Sequence, residues 1–448
     1  MRKIKKQAIS VIAVIIALAL VLPLYAGAAY VGDVEISSKG AAVIDFDTGL
    51  VIYGYNEAVQ RVPASMLKMV AIHVVYDAIR DGKASLDTMI PISAGTSAFS
   101  RDRMYSNVPL TAGATYPVRD LIEAVIVRSA CAATVALGEG IFGSEKAFVQ
   151  RMNEKAWSLN IRASFVDSWG GSKDNRVSPL AFAWLMRALM TDYPEVLEIS
   201  SKPSITFGGA SLANSNLRLG VYPGLDGLKT GFTEPAGYCF TGTAERNGRR
   251  IISVTMGSTI DKRYPDTDAL LDYGFANVDR VVGEHYKDHR AVPSNANLIL
   301  NGAQSPLSAY VINDYHYFKL RDVAFLLNGT QRQFEVMWLA ADNSIALTSG
   351  MAYSAQGREL LLEEEGPRPY RPTPSKIYLD GVSYAFESYL IDGFNYFKLR
   401  DLAELIGFEV NWTGETRTVI INTPADSGES ERSVYDWRGE PPIIDDAA

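Results

Sequence analysis

The hexapeptide Tyr-Phe-Lys-Leu-Arg-Asp occurs twice, as Tyr317–Asp322 and again as Tyr396–Asp401. Identity over six consecutive positions, inside longer stretches that also align, is the mark of an internal duplication. Each copy reads as strand, strand, short helix, strand, strand. Each is too short to bury its own apolar face, so the pair is expected to pack as one unit. The copies are placed at 296–350 and 376–423, and the charged, Pro-rich stretch at 354–375 reads as a linker. Residues 424–448 carry seven acids against two bases and read as a disordered tail.

The N-terminus has four basic residues, then an apolar run from Ala8 to Leu24, then Ala26-Gly27-Ala28, small residues suited to a signal peptidase. This predicts export, with 1–28 removed and the mature chain starting near Ala29; an uncleaved membrane anchor is the alternative. Removing Arg2, Lys3, Lys5 and Lys6 takes the formal charge from -8 to -12. No basic stripe is left for a nucleic-acid partner. Cys131 and Cys239 lie in an exported chain where pairing is chemically allowed, and the sequence leaves open whether they meet.

Residues 29–280 read as one domain of mixed α/β (α+β) class. Two apolar runs flank Asp45-Phe46-Asp47-Thr48-Gly49, which is hairpin grammar. A helical middle follows, with apolar faces at helical period in "SMLKMVAIHVVYDAIRDG", "VRDLIEAVIV", "TVALGEGI", "EKAFVQRMNEKAWSLN" and "SPLAFAWLMRALM". From Gly224 the period changes to two, with a turn at Asn247-Gly248. "DTDALLDYGFANV" reads as a last helix ending near 280, and 281–295 as a linker.

Three short motifs carry chemistry. In "PASMLK", helical spacing places the Lys68 amine beside the Ser65 hydroxyl, and the apolar run behind it would keep that amine poorly solvated. Desolvation lowers a lysine pKa, so Lys68 could accept the serine proton. At a helix start, the backbone N–H of Ser65 could also serve a developing oxyanion. Ser-x-x-Lys arises by composition about once or twice in a chain of this length, and an N-cap serine with a snorkelling lysine is the plain alternative. In Lys229-Thr230-Gly231, a glycine on an edge strand would let a peptide lie alongside as an added strand while Lys229 and Thr230 bind its terminal carboxylate. Ser129-Ala130-Cys131 falls on a turn between helices. Ser-x-x-Lys, Ser-x-Asn and Lys-Thr-Gly, in that order, are the signature of penicillin-interacting serine enzymes. Here the last residue of the middle motif is cysteine.

With these motifs in order, and with "AAVIDFDTGLVIYGYNEAVQRVPASMLK" and "NSNLRLGVYPGLDGLKTGFTEPAGYCFTGTA" around them, residues from about 36 to 276 resemble the low-molecular-weight penicillin-binding D-alanyl-D-alanine carboxypeptidases. The resemblance implies the penicillin-binding/β-lactamase-like serine transpeptidase fold: a five-stranded antiparallel sheet with helices, plus a helical subdomain, the site between them. It implies Ser65 as nucleophile, Lys68 as its base and Ser129 as proton relay to the leaving D-alanine. Lys229 and Thr230 would hold the substrate carboxylate, beside Gly231 where the peptide approaches, with Arg263 as a second candidate contact. The N–H groups of Ser65 and Phe232 would form the oxyanion hole. Cys131 stands where the family's Asn donates to the substrate amide, and a thiol is the weaker donor. Losing such a bond costs about 1–3 kcal/mol, which weakens an enzyme without preventing nucleophilic attack. Ala132 replaces a frequent Asp. No metal or cofactor is expected.

The duplicated segment resembles the stalk repeats related to the N-terminal domain of copper amine oxidases. His316 is the only histidine in either copy, which does not make a copper site. A spacer or cell-wall contact is expected of it. The other histidines have plain readings, His73 as a packed residue and His285 and His289 in a charged segment. The combined reading is an exported serine D,D-carboxypeptidase acting on the D-Ala-D-Ala end of peptidoglycan stem peptides and acylated by β-lactams. Two alternatives stay open: an impaired wall-binding pseudoenzyme, or a serine β-lactamase, for which no "ExxLN" segment supplies a deacylation device.

Overall fold

The computed structural model describes residues 34–423 apart from 340–343, 362–365, 374 and 385. The expected export segment and acidic tail lie outside the described residues. Nearly all residues up to His289 belong to one compact unit, and most from Arg290 onward belong to a second.

In the first unit, strands β1 (Gly40–Asp45) and β2 (Val51–Tyr55) form the expected hairpin. Its turn is tied by Asp45, whose Oδ2 accepts from Thr48 N at 3.0 Å and Thr48 Oγ1 at 2.6 Å. The chain then leaves the sheet for α1 (Lys68–Arg80), α2 (Val118–Arg128), α3 (Cys131–Phe142), α4 (Glu145–Ser158) and α5 (Pro179–Asp192). It returns as β3 (Leu225–Thr233), β4 (Gly237–Arg246) and β5 (Arg249–Ser258). The sheet order is β2-β1-β5-β4-β3, with every neighbouring pair antiparallel, so β3 is an edge strand. Asn247 and Gly248 turn between β4 and β5 with φ of 52° and 72°, the left-handed pair that a two-residue hairpin requires.

Helix α6 (Arg263–Tyr286) covers the sheet where Gly274 removes the obstacle of a side chain: a Cβ there would stand 2.6 Å from Ile251 Cγ2. Burial of Val278 and Val282 carries this helix past the expected end near 280. Residues 281–295, expected as a linker, therefore hold the last turns of α6 and a strand, Arg290–Pro293, whose Ala291 is buried.

His73 is buried as expected, and it is also hydrogen-bonded: its Nε2 lies 2.8 Å from Asp192 Oδ2. Lys155 Nζ meets Asp77 at 2.6 Å and Asp192 at 3.8 Å, and Tyr193 OH donates to Asp77 at 2.7 Å. The network pins α1 to α4 and α5. Its three acceptor residues come within metal-binding distance of one another, but the Lys155 ammonium already supplies the cation.

In the second unit each copy has one hairpin more than expected. The first runs Asn297–Leu300, Ala303–Ser305, Ala309–Ile312 and Tyr315–Lys319 before its helix Leu320–Leu327, then Phe334–Leu339 and Ser344–Ser349. The second repeats this from Lys376–Leu379 to Thr418–Asn422. The short first hairpins escape an alternation reading because Asn301-Gly302 and Asp380-Gly381 turn them after only a few residues, both pairs with positive φ. The duplicated hexapeptides pair with each other antiparallel, Tyr317 opposite Lys398, Phe318 opposite Phe397 and Lys319 opposite Tyr396. The first strand of copy one pairs with the last strand of copy two, Leu298 opposite Val419. Both copies thus share one core, with Phe318, Leu327, Phe397 and Leu402 inside it. Residues 354–375, expected as a linker, include the strand Arg368–Pro372.

Phe397 is fully buried at the centre of the paired hexapeptides. Phe397→Ala is expected to cost the second unit about 3–5 kcal/mol. Calorimetry should show its transition lowered while that of the first unit stays in place.

Candidate active site

A short 3-10 helix, Ala64–Leu67, leads into α1 and carries Ser65 at its second position. Ser65 is partly exposed, whereas Ala64, Met66, Leu67 and Lys68 around it are buried. Lys68 Nζ donates to Ser65 Oγ at 2.8 Å and to the Trp169 carbonyl at 2.7 Å. Burial lowers the pKa of this amine, opposed by the Cys131 sulfur beside it and by Asp167, which favour the ammonium. The site thus joins a partly exposed serine to a desolvated amine within one helical turn.

The Trp169 carbonyl is presented by a loop that sequence reading missed. Asp167 Oδ1 accepts from Trp169 N at 3.1 Å and Gly170 N at 2.5 Å, and Oδ2 accepts from Ser172 N at 2.5 Å. Gly170, at φ +85°, packs on the turn that carries Ser65: a Cβ there would lie 2.0 Å from the Ala64 carbonyl. The Asp-Ser-Trp-Gly-Gly-Ser run is a recognisable turn, but nothing in it announces its partner 101 residues upstream.

Ser129 and Cys131 sit where α2 gives way to α3. Ser129 adopts a left-handed conformation, φ 60° and ψ 32°, uncommon for serine and enough to break the helix. Cys131 opens α3, its N–H donating to Ser106 O at 2.9 Å and its sulfur lying 3.7 Å from the Ser129 carbonyl. Asn107 Oδ1 accepts from Ala132 N at 2.7 Å. Both cysteines are free, and burial pushes the Cys239 thiol up to about 11.

Lys229, Thr230, Gly231 and Phe232 lie along the edge strand β3. Gly231 allows β3 to meet the Ser65 turn, since a Cβ there would stand 3.0 Å from the Pro63 carbonyl and 3.2 Å from Met66 N. Lys229 is 1% exposed, and its pKa falls well below the usual lysine range through burial and then the nearby charge of Lys68. Thr230 Oγ1 donates to Ser215 Oγ at 3.3 Å, a contact between residues 15 apart that no local pattern announces. Phe232 is 49% exposed and stacks on Tyr238 with ring centres 4.3 Å apart. Arg263, at the start of α6, places its guanidinium 4.4 Å from the Tyr264 ring and 5.2 Å from the Tyr238 ring. Its Nε is buried without a partner among the described residues. Every residue singled out from the three motifs therefore falls on one of the elements meeting around Ser65, and Arg263 stands just beyond β3.

Residues 27–259 match the peptidase S11 family, D-alanyl-D-alanine carboxypeptidase. The chain is 29% identical over 246 residues to D-alanyl-D-alanine carboxypeptidase DacF of Bacillus subtilis, covering 53% of this chain and 62% of that protein. It is 31% identical over 279 residues to DacA of Haemophilus influenzae, covering 60% and 70%. Among solved structures it resembles penicillin-binding protein D2 of Listeria monocytogenes in its cefotaxime-bound form, at 34% identity and a TM-score of 0.50, over 55% of this chain and all of that one. It also resembles PBP3 of Streptococcus pneumoniae, at 29% identity and a TM-score of 0.53, over 64% and 84%. The first unit accordingly has the penicillin-binding fold, the matched residues 27–259 span all three motifs and the five-stranded sheet, and the chain belongs to the D-alanyl-D-alanine carboxypeptidase family of S11 peptidases.

Proposed function

We propose that this protein is an exported serine-type carboxypeptidase that removes the terminal D-alanine from peptidoglycan stem peptides through an acyl-enzyme on Ser65. The observation that carries this is the 2.8 Å contact between partly exposed Ser65 and a Lys68 amine kept out of water. A buried amine that has lost its proton accepts one from Ser65, and the oxygen attacks the carbonyl carbon of the penultimate D-alanine. The N–H groups of Ser65 and Phe232 receive the developing oxyanion. Ser129 passes the proton on to the leaving amine, the C–N bond breaks and D-alanine departs. Water then hydrolyses the ester and restores Ser65.

Substrate orientation falls to the other arm of the site. The terminal carboxylate lies against Lys229, Thr230 and the guanidinium of Arg263, with the peptide added along the free edge of β3. β-Lactams acylate the same serine. The second unit serves as a spacer or wall contact, and the protein works outside the cytoplasm; among the described residues no helix is long and apolar enough to cross a membrane.

Incubation with benzylpenicillin should add one drug mass to the intact protein and none to Ser65→Ala, and a diacetyl-Lys-D-Ala-D-Ala peptide should release D-alanine. No adduct and no release would instead make the domain a binder. Cys131→Asn should raise kcat/KM by up to about a hundredfold, the worth of one substrate hydrogen bond. A protonated Lys68 cannot accept the serine proton, so acylation falls as pH drops through its folded pKa. Because burial lowers that pKa, the rate should reach its plateau at a pH below the ordinary lysine value of about 10.4. A limb centred at the ordinary value would remove Lys68 from the role of base.

A further inference from the structure

The duplicated unit contains a cavity of about 180 Å³ lined by Lys319, Arg321, Gln356, Arg358, Glu359 and Phe394. Its floor is the Phe394 ring, with Lys319 Nζ 4.6 Å and Arg358 Cζ 4.7 Å from the ring centre. Lys319 is 3% exposed and is held in place by Asp322 Oδ1 at 3.2 Å and the Arg358 carbonyl at 3.0 Å.

The one carboxylate in the lining is already committed. Glu359 accepts from Tyr353 OH at 2.6 Å, Gln356 N at 2.7 Å and Arg358 N at 3.0 Å. Arg321 Nη1 donates to Tyr353 OH at 3.3 Å, and among the described residues neither Arg321 nor Arg358 forms an ion pair. Two guanidiniums therefore face a small cavity with donors to spare.

The second copy is arranged differently around its lysine. There Lys398 lies 4.4 Å from the Tyr315 ring centre, the counterpart of Lys319 over Phe394, and it pairs with Glu387, which also accepts from Tyr389 OH at 2.7 Å. At the position corresponding to Glu387, the first copy has Ser308. Each lysine thus has a carboxylate of its own, Asp322 for Lys319 and Glu387 for Lys398, but the first copy has a serine where Glu387 stands and adds Arg358 to the aromatic face.

We propose that this cavity binds a phosphate group, a monoester or a phosphodiester, through Arg321 and Arg358 with Lys319 behind them. Guanidinium forks match the oxygens of a phosphate in pairs, and a desolvated lysine adds charge without needing to reach the ligand. Phe394 offers a flat face to the sugar or polyol that carries such a group. The pocket stands on its own geometry; that its ligand belongs to the wall rests on the wall-contact reading of the second unit.

The test uses the full chain, by calorimetric titration at low salt with glycerol 1-phosphate and inorganic phosphate, and acetate as control. Phosphate compounds should bind and acetate should not. Arg358→Gln and Arg321→Gln should each weaken binding about tenfold, one charge-assisted contact. Ser308→Glu should weaken it by bringing a further carboxylate to the lysine side of the cavity, with the unit's melting unchanged. Ser65→Ala should bind as well as the parent, so failure here leaves the carboxypeptidase reading untouched. Sedimentation with purified walls, before and after phosphate polymers are stripped, separates the sources: loss on stripping marks a polymer, and indifference to stripping with soluble phosphate still bound marks a free phosphate. No binding of either phosphate, or equal binding by Arg358→Gln, would overturn the proposal.

Discussion

Two lysine amines buried side by side set the terms for the rest of the first unit. An ammonium taken from water costs several kcal/mol unless it is paired or gives up its proton. Lys68 and Lys229 have carbonyl and hydroxyl partners but no salt bridge among the described residues, and both lose affinity for the proton. The site is therefore held in a chemically useful state by whatever keeps water from it. That task falls to elements remote in sequence: the Asp167 loop above Lys68, the start of α3 beside it, and the β3 edge brought close by Gly231. A substitution that opened any of these would restore the ammonium before it disturbed Ser65 itself.

The second unit obeys a different constraint, that of a sequence duplicated without a second core. Each copy alone would leave the apolar side of its helix and strands in water. Pairing Phe318 with Phe397 across the two hexapeptides, and exchanging terminal strands between copies, closes both faces at once. The same pseudo-symmetry carries each lysine of the hexapeptide onto an aromatic ring of the other copy, Lys319 onto Phe394 and Lys398 onto Tyr315. Where the copies then diverge, as at Ser308 and Glu387, the divergence is free to be functional because the core does not depend on it.

Sequence periodicity revealed the strands and helices of the first unit because its sheet and helices each bury one continuous face, and Asn247-Gly248 fixed the hairpin that orders β4 and β5. It misjudged the end of α6 and the first hairpins of each repeat, where burial is shared with residues far along the chain. The site was legible to the extent that its chemistry is local. Ser65 and Lys68 are three apart, and Ser129 to Cys131 and Lys229 to Phe232 are each continuous. What holds them together is not local. Asp167, the Trp169 carbonyl, Ser215 and Asn107 reach the site through tertiary contacts, and a single sequence carries no periodic trace of those.

The thiol at position 131 can be placed within this frame. Cys131 keeps the backbone and burial of a helix-opening residue, and the neighbouring Ala132 N–H is satisfied by Asn107, so neither substitution leaves an unpaired group behind. The sulfur lies beside Lys68 and favours its ammonium, against the burial that lowers the pKa of that amine. A change to asparagine removes this sulfur and adds an amide donor, so under the carboxypeptidase reading it should lower KM and also shift the pH limb set by Lys68, and a variant that changed only one of them would show the residue acting on a single side of the site.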